Sequence, residues 1–213
     1  MFSDLPPGIT EYLVSYNRDL PQRWTAQDLQ AQSEFVGQAL GQRPYLDLSK
    51  EEAVLHLWQN KVFSTGVGFG EQFQAAVLAS PVTEVMDPQW VLSFAVQQLT
   101  LGGQIAAIIP CLRDNSPPNQ AFAKLAEDYL WPIFTVDELL EMTAELGLTA
   151  HLPPTGFYPV EKFKQSLGEK SFIFSAFNKV ADALISQGFD PMALGWGELR
   201  LSASIIEQKA VIS

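Results

Sequence analysis

Along the first third of the chain, apolar residues recur at helical spacing. Leu29, Val36 and Leu40 fall on one face after Thr25 and Asp28, which approximate a capping box, and Gly41 ends the run. The apolar stretch 43–48 reads as a short strand, and Ser49 with Glu52 forms an S-x-x-E capping box for a helix over 51–60. Residues 61–70 are glycine-rich, while 73–79 is an unbroken apolar run, as expected of a buried strand. Asp87 then supplies an N-cap with Pro88 at the first helical position; Val91, Phe94, Ala95 and Leu99 make the stripe, and Gly102-Gly103 stops it. The run 104–110 is continuous enough for a central parallel strand covered on both faces. A Pro117-Pro118 loop leads to a helix over 119–129. Thr135 and Glu138 cap the next, whose Leu139, Leu140, Met142 and Leu146 point inward up to Gly147, and a strand follows at 148–152. Residues 171–177 alternate apolar with small or polar residues, predicting an antiparallel strand; a helix over 180–187 and a terminal strand over 199–209 complete the pattern.

Strands alternating with capped helices predict an α/β fold, a mainly parallel sheet with helices on both faces. The expected organisation is an arm and helix over 1–42, an α/β domain over 43–179, and a helix-strand extension over 180–213 packed on the same domain. A chain of 213 residues with 47% hydrophobic content can bury a substantial core, which excludes a disordered chain. Its 24 acidic and 13 basic residues give a net charge of −11, which repels phosphate backbones and anionic lipid, so neither nucleic acid nor membrane is the expected partner. The apolar run 105–110 is too short for the roughly 20 residues of a membrane span. One cysteine, Cys111, and no charged-then-apolar leader before Phe2-Ser3-Asp4 predict a reducing, cytoplasmic setting.

The order strand, acidic bend, Asp-Pro helix start, Leu101-Gly102-Gly103 and apolar strand across 73–110 resembles the fourth strand, following helix and fifth strand of class I, Rossmann-like, S-adenosylmethionine-dependent methyltransferases. Phe134-Thr135-Val136-Asp137-Glu138-Leu139 through Ala144-Glu145-Leu146-Gly147-Leu148 resembles the helix before that family's sixth strand, and residues 171–179 fall where it places its seventh, antiparallel strand. The resemblance covers roughly half the chain, in order. It implies a cofactor loop after the first strand, at Asp47, yet Ser49-Lys50-Glu51 stands where the family has glycines that let backbone N–H groups approach the cofactor. The spacing from Leu48 to Phe73 leaves room for one of the two strands normally found there, and no acid ends a second strand to hold the ribose. The one glycine cluster, Gly66, Gly68 and Gly70, leads into Phe73 rather than into a helix.

These departures predict a non-catalytic, methyltransferase-like protein that serves as an interaction or assembly module and binds no cofactor. The alternative is an active methyltransferase on a small molecule or protein, using S-adenosylmethionine, with Asp47 and Gly66, Gly68 and Gly70 as its cofactor residues. Glu84, at the mouth after the 73–79 strand, is the candidate catalytic carboxylate, whereas Asp87 is explained as a cap. Ser80-Pro81-Val82-Thr83 replaces the Asn-Pro-Pro-Tyr tetrad of amino-methylating members. Cys111 at a strand end reads as a buried small hydrophobe, and His56 and His151 stand alone, so no metal site is expected. Trp131 and Phe134, flanking Pro132 with Glu127, Asp128 and Asp137 nearby, are the candidate surface for a protein partner of basic character.

Overall fold

The computed structural model describes residues 26–43, 45–48, 73–78, 87–128, 133–151, 157–159 and 172–206. In chain order these form α1 (Ala26–Leu40), β1 (Tyr45–Asp47), β2 (Phe73–Leu78), α2 (Pro88–Gln98), β3 (Leu99–Leu112), α3 (Pro117–Glu127), α4 (Val136–Glu145), β4 (Leu148–His151), β5 (Phe157–Pro159), α5 (Phe172–Ser186), a 3-10 turn (Pro191–Ala193) and β6 (Gly195–Ile205). The helix expected at 51–60, the glycine-rich stretch 61–70 and the arm before residue 26 lie outside the described residues.

The strand order is β1-β2-β3-β6-β4, with β5 also paired to β6. β1, β2 and β3 are parallel neighbours, and β6 runs antiparallel to both β4 and β5. The α/β fold class is therefore as expected: a mainly parallel sheet in which one antiparallel strand is inserted between the last two parallel positions. Its location is not as expected. The antiparallel strand is β6, at Gly195–Ile205, whereas residues 172–186, read from sequence as a strand and then a helix, form one unbroken helix, α5. Phe177, Val180, Ala181 and Leu184 are all buried and recur at 3.6-residue spacing, and that longer period overrides the brief alternation at 171–177.

The chain divides into two compact units. One comprises Glu34–Ile109, Glu138–Pro154 and Arg200–Ser213. Here Phe35 and Leu40 of α1 pack on Ala75 and Val77 of β2 and Ala106 and Ile108 of β3. The alternate residues Ala76, Leu78, Ile105, Ala107 and Ile109 are equally buried, so β2 and β3 are covered on both faces. α2 starts as expected, with Asp87 Oδ1 accepting the Gln89 N–H at 2.9 Å and Pro88 next in line.

Its end is different. α2 stops at Gln98, where Leu99 turns extended, so the glycines are not its terminator. They form a bulge instead: pairing jumps from Phe73↔Leu99 to Ala75↔Gln104, and Gly102 takes φ +73°. Gly103 serves by its missing side chain, since a Cβ there would stand 2.7 Å from the Thr100 carbonyl oxygen.

The other unit comprises Met1–Ser33, Pro110–Asp137 and Thr155–Leu199. α3 packs on α5 through Phe122 and Phe177, both fully buried, with ring centroids 5.3 Å apart at 46°.

Candidate functional site

Open parallel sheets offer ligands the carboxyl ends of their strands. β1 ends at the half-buried Asp47, and the following Leu48 N–H donates to the Val77 carbonyl at 2.9 Å, which fixes this end of the strand against β2. Asp47 thus stands at the strand end where the resembling family holds its cofactor. Gly66, Gly68, Gly70, Glu84, Trp131 and His56 lie outside the described residues.

The carboxyl end of β3 is the best-defined polar site. Cys111 is fully buried, and burial foremost pushes its thiol up to about 12, opposed by a backbone hydrogen bond at Leu199 and assisted by Glu198. It is a neutral thiol at physiological pH. Leu112 donates its N–H to the Phe134 carbonyl at 2.9 Å and bridges to Thr135. Phe134 is half-buried.

Beyond Leu112, the Arg113 N–H donates to the Gly195 carbonyl at 2.8 Å. Asp114 then gathers three donors: Arg113 Nε at 2.8 Å, the Ser116 N–H at 3.0 Å and Asn119 Nδ2 at 2.8 Å. Asn119 is fully buried, and its Oδ1 accepts the Gly195 N–H at 3.2 Å. The Ser116 hydroxyl, Arg113 and Asn119 together hold the Asp114 carboxyl far below the usual carboxylate range. The hydroxyl acts as a nearby dipole rather than a bonded donor, for Ser116 Oγ is buried and its geometry falls short of a hydrogen bond to any protein atom. Gly195 is required by proximity, because a Cβ there would meet Arg113 Cβ at 2.8 Å.

This Asp114-Ser116-Asn119-Gly195 arrangement was not singled out from sequence. The signal was present in Asp114-Asn115-Ser116 before Pro117-Pro118, an Asx-turn composition at a helix start. Chemically it is a brace: Arg113, Ser116 and Asn119 donate to Asp114, and Asn119 in turn accepts from Gly195. Among the described residues no group of three or more His, Cys, Asp or Glu side chains could hold a metal ion, and no helix is long and apolar enough to cross a membrane. His151 is exposed on β4.

No protein-family model matches the chain, and no curated protein matches it by sequence. Its fold does match solved structures. Geranyl diphosphate C-methyltransferase from Streptomyces coelicolor A3(2), solved with S-adenosyl-L-homocysteine, aligns with a TM-score of 0.51 at 13% identity, covering 94% of this chain and 88% of that one. A geranyl diphosphate methyltransferase bound to S-adenosylmethionine gives 0.52 at 11% identity over 94% and 93%. An S-adenosylmethionine-dependent methyltransferase from Thermotoga maritima gives 0.50 at 12% identity over 91% and 96%. The chain therefore has the Rossmann-like fold of the class I methyltransferases, including the antiparallel strand that marks them.

Proposed function

We propose that this chain is a non-catalytic protein of methyltransferase fold, used as a protein-interaction or complex-assembly module. The observation that carries the reading is the sequence that follows β1. β1 is a three-residue strand, and Leu48 after it is followed by Ser49-Lys50-Glu51. In the resembling family, glycines follow that strand and an acid on a further strand holds the ribose. Lys50 and Glu51 carry side chains where those glycines let backbone N–H groups approach the cofactor, and this departure in the sequence supports a chain that does not hold S-adenosylmethionine in the family's manner.

The partner in this reading is a protein with basic character, attracted by the net charge of −11 and met at Trp131 and Phe134. The single, buried cysteine suits a reducing compartment such as the cytoplasm. The alternative is an active methyltransferase on a small molecule or protein, favoured by Asp47 at the carboxyl end of β1 and by neighbours solved with S-adenosylmethionine or S-adenosyl-L-homocysteine.

Calorimetric titration decides between them. The interaction reading expects no saturable heat with either S-adenosylmethionine or S-adenosyl-L-homocysteine. Binding tighter than about 100 μM, worth roughly 5.5 kcal/mol, overturns it.

A further inference from the structure

The β4–β6 ribbon has two unlike faces. Its antiparallel register sets Leu148 opposite Ile205, Thr149 opposite Ser204, Ala150 opposite Ala203 and His151 opposite Ser202. Directly opposed residues share a face and successive ones alternate, so Leu148, Ala150, Leu201 and Ala203 lie on one face and Thr149, His151, Arg200, Ser202 and Ser204 on the other. Burial follows the same division. Leu148, Leu201 and Ala203 are buried, whereas Arg200, Ser202 and Ser204 are half-buried and Thr149 and His151 are exposed.

We propose that this polar face binds a phosphate group, as inorganic phosphate or a phosphomonoester. Arg200 is the central observation. It is half-buried, and among the described residues no hydrogen bond or ion pair engages its guanidinium. With its stem partly buried against the sheet, the planar fork of guanidinium donors is held where it fits a phosphate edge. His151 lies diagonally across the ribbon on the same face, roughly 7–8 Å away between backbones, a distance that one anion can bridge with two long side chains.

The surroundings select the ligand. Ser202, Ser204 and Thr149 add hydroxyl donors on the same face. Donors spread over two strands suit a tetrahedral group with three free oxygens better than a planar carboxylate. The acid two residues before Arg200, Glu198, accepts from Gln32 Nε2 at 3.5 Å, so the phosphate belongs on the Ser202 side of Arg200. With a net charge of −11 the long-range field opposes anions, and affinity has to come from these local donors.

The test is a titration of the full chain with inorganic phosphate, followed by backbone amide and His151 ring NMR signals, against chloride at matched ionic strength. Glycerol phosphate forms the second arm. The proposal expects saturable shifts centred on His151, Ser202 and Ser204, and at least a tenfold loss of affinity in Arg200→Gln. Tighter glycerol phosphate binding assigns an esterified ligand, and equal or weaker binding assigns free phosphate. His151→Ala and Ser202→Ala should each weaken binding severalfold, and they carry the test if Arg200→Gln does not fold. Shifts that do not saturate, that chloride reproduces, or that persist unchanged in these variants overturn the proposal.

Discussion

The buried side-chain amide of Asn119 accepts the Gly195 backbone N–H at 3.2 Å, and its other end donates to Asp114 at 2.8 Å. The orientation of the amide follows from its partners, since the Gly195 N–H can only donate and the Asp114 carboxylate can only accept. One side chain thus joins the start of α3 to the start of β6. In Asn119→Ala the buried Gly195 N–H is left unpaired, and unfolding in urea should show a loss of roughly 1–3 kcal/mol. Asn119→Asp keeps the acceptor but places a carboxylate oxygen against Asp114, so at neutral pH it should be at least as destabilising. A wild-type midpoint in both variants would show that this brace does not hold the two elements.

Asp114 should contribute to the acid limb of stability. Its carboxyl is lowered in the folded state by Ser116, Arg113 and Asn119, so folding favours the ionised form. That contribution is fully present above the unfolded value of about 3.9 and is lost as pH falls below it toward the lower folded value. The Asp114 side chain is 41% exposed, and solvent screening keeps the effect small. Urea midpoints measured from pH 6 to pH 2 should therefore fall less steeply below pH 4 in Asp114→Asn than in the wild type. Parallel curves would mean that the three donors exert no net preference for the charge.

Cys111 should be inert in the folded protein. Its thiol is fully buried and pushed up to about 12, so almost no thiolate exists at pH 8 to attack a thiol reagent. Labelling with a chromogenic disulfide should be slow in buffer and complete within minutes in denaturant. Fast labelling of the native protein would contradict the burial.

The sequence was most legible where one period was long and capped. The buried runs of β2 and β3, the Asp87 cap of α2 and the inward face of Leu139 could be read directly, because burial on both faces of a strand or on one helix stripe leaves a pattern in composition. Residues 171–177 misled because Phe172 and Phe174 fit the period of a strand while Ile173, Phe174 and Phe177 fit that of a helix. Only the continuation to Val180, Ala181 and Leu184 separates them. The Asn119 brace was hidden for a different reason: its partner Gly195 is remote in sequence, and pairwise hydrogen bonds over such separations leave no local signal.

The glycine pair offers a test of the bulge between β2 and β3. Gly102 has open space around its would-be Cβ, so Gly102→Ala should cost only the roughly 1–2 kcal/mol of a left-handed backbone, and Gly102→Asn less. Gly103→Ala meets a backbone oxygen at 2.7 Å and Leu99 Cβ at 3.0 Å, neither of which can rotate away. It should be the more destabilising change. The reverse order in thermal melts would return the pair to the role of a helix stop.

The α3–α5 contact provides the sharpest check that residues 172–186 are helical. Phe122 and Phe177 are each fully buried, and their rings meet at 5.3 Å in a tilted arrangement. Truncating either to Ala should cost about 3–5 kcal/mol from lost transfer energy and the cavity left behind. Because the rings touch, the double variant should lose less than the sum of the single variants, by about 0.5–1.5 kcal/mol. The exposed side of α5 supplies the control: Asp182→Gly should destabilise by roughly 0.5 kcal/mol through helix propensity alone, with no coupling to Phe122→Ala. Additive losses at Phe122 and Phe177 would separate the two rings. A stabilising effect of a β-branched residue such as Val at Asp182 would favour an extended segment there instead.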